Sequence, residues 1–252
     1  MKRYTLLIYI MAIIGWANAQ TQAEDWFKQA NEAYNAGKYD TAVVLYEKIL
    51  ATDMESVPVY YNLGNAYYRM KEFPKAIYNY ERALKLDPSN EDVRVNLQFA
   101  NMSIEDKNEP VPESFIVKGW RKLRTMCSGD TWAWWSVVAF ALMLASVFLF
   151  LRSRRVGLRK LGFFAGIAFL VVFAFSVVFA AQLRHSAVTQ DQAIIMSPTV
   201  NAKSKPDEGG VDLFVLHNGT KVTILESSNG WNKVRIANGD IGWIEANNML
   251  PF

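Results

Sequence analysis

Two long stretches without a single ionisable side chain dominate this chain: Thr131–Leu151, 21 residues, and Leu161–Leu183, 23 residues. A helix rises 1.5 Å per residue, so about 20 apolar residues cross a hydrocarbon core of ~30 Å. Both runs are long enough. Trp132, Trp134 and Trp135 crowd the start of the first, where indoles favour the headgroup region. Between the runs, residues 152–160 hold five cations and no anion, which places that loop in the cytoplasm by the positive-inside rule. Neither run carries a charge to line a pathway, so the pair reads as a transmembrane hairpin that anchors the chain.

Charge is distributed around that hairpin unevenly. Residues 111–184 carry 10 Lys/Arg against 2 Asp/Glu, while residues 20–110 carry 10 against 15 and residues 185–252 carry 5 against 7. Both flanking regions are acidic, the reverse of what a nucleic-acid binder needs, so no nucleic-acid partner is expected. At the amino terminus, Lys2 and Arg3, an apolar stretch Tyr4–Trp16 and Ala17-Asn18-Ala19 make a signal peptide over residues 1–19. An uncleaved anchor is the alternative. In either case the following domain is translocated, and the basic loop agrees. Lys118, Arg121, Lys122 and Arg124 then fall on the external side, with Ile116, Trp120, Leu123 and Cys127 along the opposite face. That pattern predicts an amphipathic helix on the outer leaflet, within a linker over 109–130 that opens with the helix-stopping Glu109-Pro-Val-Pro-Glu113.

The amino-terminal region repeats itself at an offset of 34 residues. Trp26 corresponds to Tyr60, Asn31 to Asn65, Tyr34 to Tyr68, Ala42 to Ala76, Tyr46 to Tyr80 and Leu50 to Leu84. With Tyr60, Leu63-Gly64, Tyr67, Ala76, Tyr80, Ala83 and Pro88, the second copy resembles the tetratricopeptide repeat, which implies stacked helix pairs over 22–108. Gly64 and Ala76 stand where helices A and B approach most closely, and Pro88 ends helix B. The first copy departs from the pattern, with Ala30 for Gly, Ala33 for Tyr and Met54 for Pro. A third copy begins at Asn96-Leu97 and Ala100 and fades into Glu105-Asp106-Lys107 as a capping helix would. The resemblance implies a concave, partner-binding surface made by helices A, on which Phe27, Asn31, Tyr34, Tyr61, Asn65, Tyr68 and Arg69 fall, with Phe99 beside them. Asn31 and Asn62 match the asparagines of a carboxylate clamp, but Phe27 and Asp92 stand at two of its lysine positions. An apolar or extended segment is therefore the expected ligand, with internal packing of the aromatics as the alternative.

From Gln190 the apolar period becomes alternating. Ala193–Met196, Leu213–Leu216, Val222–Leu225, Trp231–Ile236 and Ile241–Ile244 read as strands, and Asn218-Gly219, Asn229-Gly230 and Asn238-Gly239 as tight turns. Residues 190–252 thus form a small all-β barrel. Asn218–Leu225, Gly230–Arg235 and Asn238–Ile244 resemble the bacterial SH3 domain. Trp231 and Trp243 are the candidates for its peptide or wall-fragment groove, packing within the barrel being the alternative.

No catalytic constellation is present. A single Cys and two His in the chain leave no zinc spacing or Cys–His pair, and no phosphate loop or nucleophile elbow appears, so no enzyme activity, cofactor or metal is expected. The fold class is that of a multidomain membrane protein: an all-α tetratricopeptide repeat domain, a two-helix transmembrane hairpin and an all-β SH3-like barrel. This order of modules resembles the BatE-type proteins of the Bacteroides aerotolerance operon. The resemblance implies an inner-membrane adaptor that assembles with other membrane proteins, some bearing von Willebrand factor A domains, and that serves oxidative-stress tolerance. The rival class is a peptidoglycan-binding or envelope-sensing protein acting through the SH3-like domain.

Overall fold

The computed structural model describes residues 21–107 and 111–252; the expected signal peptide over 1–19 lies outside the described residues. The repeats form α1 (residues 21–35), α2 (Tyr39–Leu50), α3 (Val57–Arg69), α4 (Phe73–Leu86) and α5 (Glu91–Met102). Ser56 starts α3, its hydroxyl accepting from the Val59 N–H, and Pro58 sits in the first turn where its missing donor costs nothing. The turn within each repeat needs one left-handed residue. Gly37 (φ 74°) supplies it in the first copy and Lys71 (φ 63°), 34 positions on, in the second. Small residues Ala30, Ala42, Ala66, Ala76, Ala83 and Ala100 are fully buried between the helices, and Tyr46, Tyr60 and Tyr80 fill the remaining space. Gly64 lies directly on Tyr80: a Cβ there would stand 2.6 Å from its Cε1.

The hairpin is described by itself. After α6 (Phe115–Arg124), two helices, α7 (Gly129–Arg152) and α8 (Val156–Val188), are long and apolar enough to cross a membrane. The link between them is shorter than expected. Only residues 153–155 lie outside helix, and the rest of the basic stretch, Val156–Lys160, opens α8. The helices meet through small residues, as helices in lipid do when backbone contact replaces the hydrophobic drive. A Cβ on Gly162 would come within 2.8 Å of the Ser146 carbonyl oxygen.

The carboxy-terminal domain is a seven-stranded antiparallel sheet, β1 (Gln192–Ile195), β2 (Thr199–Lys203), β3 (Asp212–His217), β4 (Lys221–Ser228), β5 (Trp231–Arg235), β6 (Ile241–Glu245) and β7 (Met249–Pro251), in the order β3-β2-β6-β5-β4-β1-β7. Its core is Ala193, Ile195, Val200, Ala202, Leu216, Val222, Val234, Ile236, Ile244 and Met249. β2 and β7 go beyond the five expected strands. β2 offers only Val200 and Ala202 to the core, and β7 is three residues long, so neither presents an apolar alternation long enough to be read. The β4–β5 turn has Asn229 (φ 51°) and Gly230 (φ 80°) at its centre, the left-handed pair whose twist suits a two-residue hairpin.

Repeats and barrel belong to one compact unit. The acidic end of the third copy is not a helical cap. α5 stops at Met102, and residues 103–107 run into the barrel. The Asp106 carboxylate accepts from the His217 backbone N–H (2.7 Å) and the Thr220 hydroxyl (2.6 Å), and meets His217 Nδ1 at 2.7 Å. Glu81 pairs with Lys221 at 2.6 Å, and the Tyr78 ring meets Phe252 edge-on at 5.9 Å. Ile104 presses on Gly219, where a Cβ would lie 2.5 Å from its Cγ2. The barrel thereby packs on Tyr78 of α4 and on Ile104 just beyond α5.

Candidate interaction surfaces

The concave side of the repeats holds a pocket of about 320 Å³ lined by Tyr34, Tyr61, Asn65, Tyr68, Arg69, Tyr80, Asn96 and Phe99. Its size falls at the lower end of the range of small-ligand sites, roughly 300–1,000 Å³. Helical spacing builds it. Tyr61, Asn65, Tyr68 and Arg69 recur along one face of α3, and Asn96 and Phe99 stand on the neighbouring face of α5. Phe99 is 53% exposed at the rim. The Tyr34 ring rests on Tyr39 and the Tyr68 ring on Phe73, edge-on at 5.3 and 5.5 Å. Each aromatic wall is therefore braced from behind by the first residue or so of a helix B. Burial holds the Tyr34 phenol above its ordinary value, with Arg69 pulling the other way, and Arg69 is the one cation among the lining residues.

Of the residues anticipated from sequence, Tyr34, Tyr61, Asn65, Tyr68, Arg69 and Phe99 converge here, while Phe27 and Asn31 do not line the pocket. Phe27 instead packs on Tyr46, ring centroids 6.0 Å apart. Asn31 belongs to a repeating polar ladder. Its Oδ1 accepts from the Tyr46 hydroxyl (2.6 Å) and from Asn62 Nδ2 (3.0 Å). One repeat on, Asn65 Oδ1 accepts from the Tyr80 hydroxyl (2.7 Å) and from Asn96 Nδ2 (2.8 Å). Asn96 Nδ2 also reaches the Tyr61 hydroxyl at 3.1 Å. Each asparagine thus ties helix B of its own repeat to helix A of the next. Burial raises the Tyr46 phenol to about 12 and pushes Tyr80 further still, so both hydroxyls remain protonated donors. Tyr80 and Asn96 were not among the anticipated site residues, yet Asn31/Asn65, Tyr46/Tyr80 and Asn62/Asn96 all differ by the repeat offset. With Asn31 and Asn62 bonded to one another, they are committed to the fold rather than to a terminal carboxylate.

On the barrel, register places the two tryptophans. Trp231 pairs with Glu245 and Lys233 with Trp243, so both indoles share the outer face, opposite core residues Val234 and Ile244. Both are half-buried and neither belongs to the core. Lys203 lies opposite Trp243 on β2, and Lys233 Nζ stands 5.9 Å from its ring. The result is a shallow aromatic strip with Lys233 and Glu245 on the same face and with Lys203, itself paired to Asp212 at 3.3 Å, at its edge. Among the described residues, no cluster of His, Cys, Asp and Glu could hold a metal ion.

Comparison with known proteins follows the same division. Residues 57–90 match the tetratricopeptide repeat family and residues 30–71 a second TPR repeat family, while residues 198–249 match the bacterial SH3 domain. A TPR repeat-containing protein of Methanocaldococcus jannaschii is 36% identical over 67 residues, which are 27% of this chain and 12% of that protein. The chain therefore spans about an eighth of that relative. The matched modules are interaction modules.

Proposed function

We propose that this chain is a membrane-anchored adaptor that presents its repeats and its SH3-like barrel on the extracytoplasmic side of a bacterial inner membrane, and that the concave face of the repeats is the main partner contact. The observation that carries this is the convergence of Tyr34, Tyr61, Tyr68 and Phe99 around a pocket with a single cation, Arg69. Aromatic and Arg side chains anchor protein interfaces, and truncating one such anchor can cost about 2 kcal/mol or more. The polar floor is already satisfied by the asparagine ladder, so the pocket favours an extended, mainly apolar segment with one acceptor for Arg69. The order of modules, similar to that of BatE-type proteins, supports extending the reading to a Bat-type assembly, with membrane proteins bearing von Willebrand factor A domains as partners and oxidative-stress tolerance as the process served. The test is co-purification from detergent-solubilised membranes. Tyr61→Ala with Tyr68→Ala should remove the co-purifying protein while leaving the circular dichroism unchanged. Retained partner in that variant argues against the reading.

A second reading rests on the outer strip of the barrel: Trp231 and Trp243 with Lys233 suit stacking on, and ion pairing with, peptidoglycan fragments. Sedimentation of the solubilised chain with wall sacculi tests it. Loss of pelleting in Trp231→Ala with Trp243→Ala, alongside retained pelleting in the tyrosine variant, would favour this reading over the first. Removing residues 190–252 outright would not discriminate, because the barrel covers Ile104 and Tyr78 of the repeats.

A further inference from the structure

α6 leaves most of an apolar arc uncovered by protein, Trp120 alone of that arc packing on the hairpin. At about 100° per residue, Phe115, Ile116, Trp120 and Leu123 fall within one arc of the helix, Lys118 and Arg121 within the opposite one, and Lys122 at the boundary beside Phe115. Nothing on α6 is buried: Phe115 is 84% exposed and Ile116 67%. An amphipathic helix with a basic polar face and a bare apolar face is the form that lies in a membrane interface.

Three contacts fix where it lies. The Trp120 ring packs edge-on against Phe179 of α8, centroids 4.9 Å apart, and its Nε1 donates to Gln182 Oε1 at 3.4 Å. Trp132 Nε1 of α7 donates to the Arg124 carbonyl at 2.9 Å. Gln182 is the penultimate residue of the uncharged run, and Arg184 follows it. α6 is therefore held against the hairpin at the level where hydrocarbon gives way to headgroups, the level its own Trp120 favours.

We propose that α6 is a docking surface for anionic phospholipid in the leaflet at which α7 begins, its apolar arc seated at the acyl boundary and Lys118, Arg121 and Lys122 on headgroup phosphates. Lipid is the occupant because the arc is continuous with the spanning surface of the hairpin, and because, among the described residues, the one ion pair these three cations make is that of Arg121 with Glu113, at 2.8 Å. Among the described residues Lys118 and Lys122 make no ion pair, which leaves their charge for phosphates. This also gives three of the four cations at 118–124 a use on a side where the positive-inside rule disfavours them.

The test uses the full chain in nanodiscs of phosphatidylcholine alone or mixed with phosphatidylglycerol, read by amide hydrogen exchange over residues 115–124 with α4 as the internal reference. Each cation near an anionic surface contributes roughly fivefold in occupancy. With two free cations, protection of α6 should accordingly be about 25-fold greater in the anionic discs, fall with added salt, and lose its lipid dependence in Lys118→Gln with Lys122→Gln. Lys118→Arg with Lys122→Arg keeps the charge and should keep the dependence, which separates lost charge from a misfolded helix. Equal protection in both lipids, or a lipid dependence that survives removal of the two charges, overturns the proposal. Neither result bears on which face of the repeats holds a protein partner.

Discussion

Substitution of Gly64 tests the packing on which the repeat geometry depends. A Cβ at this position would stand 2.6 and 2.7 Å from two ring carbons of Tyr80, which is 1% exposed and tied through its hydroxyl to Asn65. Something must move. Yet Ala30 occupies the equivalent position of the first repeat, fully buried, with Tyr46 in the place of Tyr80. The architecture therefore accepts one methyl group after a small ring shift. For Gly64→Ala, overpacking at the low end, about 1 kcal/mol, is offset by a helix-propensity gain of about 0.8–1.0 kcal/mol. The net change should be close to zero. Gly64→Leu adds three more carbons with no space for them, and its cost should reach about 3 kcal/mol, the upper part of the overpacking range. At about 4–8 °C per kcal/mol for a domain of 60–100 residues, that lowers the unfolding transition by roughly 12–24 °C. Hydrogen exchange over α3 and α4 in the solubilised full chain measures it. Unchanged protection in Gly64→Leu, or a loss in Gly64→Ala as large as in Gly64→Leu, would refute the reasoning.

Tyr80→Phe removes the donor from the Asn65 Oδ1 while keeping the ring, and should cost about 0.5–1.5 kcal/mol by chemical denaturation; no loss would mean that the ladder contributes nothing. The Asp106–His217 junction should depend on pH. Asp106 lies below its ordinary value: burial pushes it up, but the bonds from His217 and Thr220 together outweigh that. His217 is raised, first by its bond to Asp106. The Asp106 contribution is present above about pH 3.9 and lost as pH falls through its lowered value; the His217 contribution is present below about pH 6.5 and lost as pH rises through its raised value. The junction is thus tightest between about pH 4 and 6.5, and wild type should lose thermal stability towards pH 9 relative to His217→Gln; parallel profiles would contradict this. Alkaline phosphatase fused after Phe252 should be active and at Arg155 inactive, and the opposite pattern would invert the topology.

The repeats were legible because each structural demand recurs at a fixed offset: Gly64 with Ala30, Tyr80 with Tyr46, Asn65 with Asn31. The same offset contained the ladder, but a spacing alone does not reveal whether an asparagine faces a ligand or its neighbour. The hairpin was legible from length and charge. Its connection is shorter than the basic stretch suggests, because a basic stretch that starts a helix looks, in sequence, like a loop. The barrel showed strands where both alternation and an Asn-Gly turn were present, and hid β2 and β7, which present few apolar side chains. Least legible was the junction: Asp106 and Thr220 are 114 positions apart, and nothing local to Glu105-Asp106-Lys107 distinguishes a docking carboxylate from a fading cap.

The adaptor account stands on the concave aromatic face, and a photo-crosslinking amino acid placed at Phe99 tests it in living cells. Phe99 lies at the rim of the pocket, 53% exposed, and the fold does not require its ring. The same probe at Trp243 reports the outer strip of the barrel. The expected result is a discrete protein adduct from position 99 that disappears in the Tyr61→Ala, Tyr68→Ala background, with little or no protein adduct from position 243. An adduct from position 99 that persists in that background, or protein adducts from position 243 alone, would contradict it.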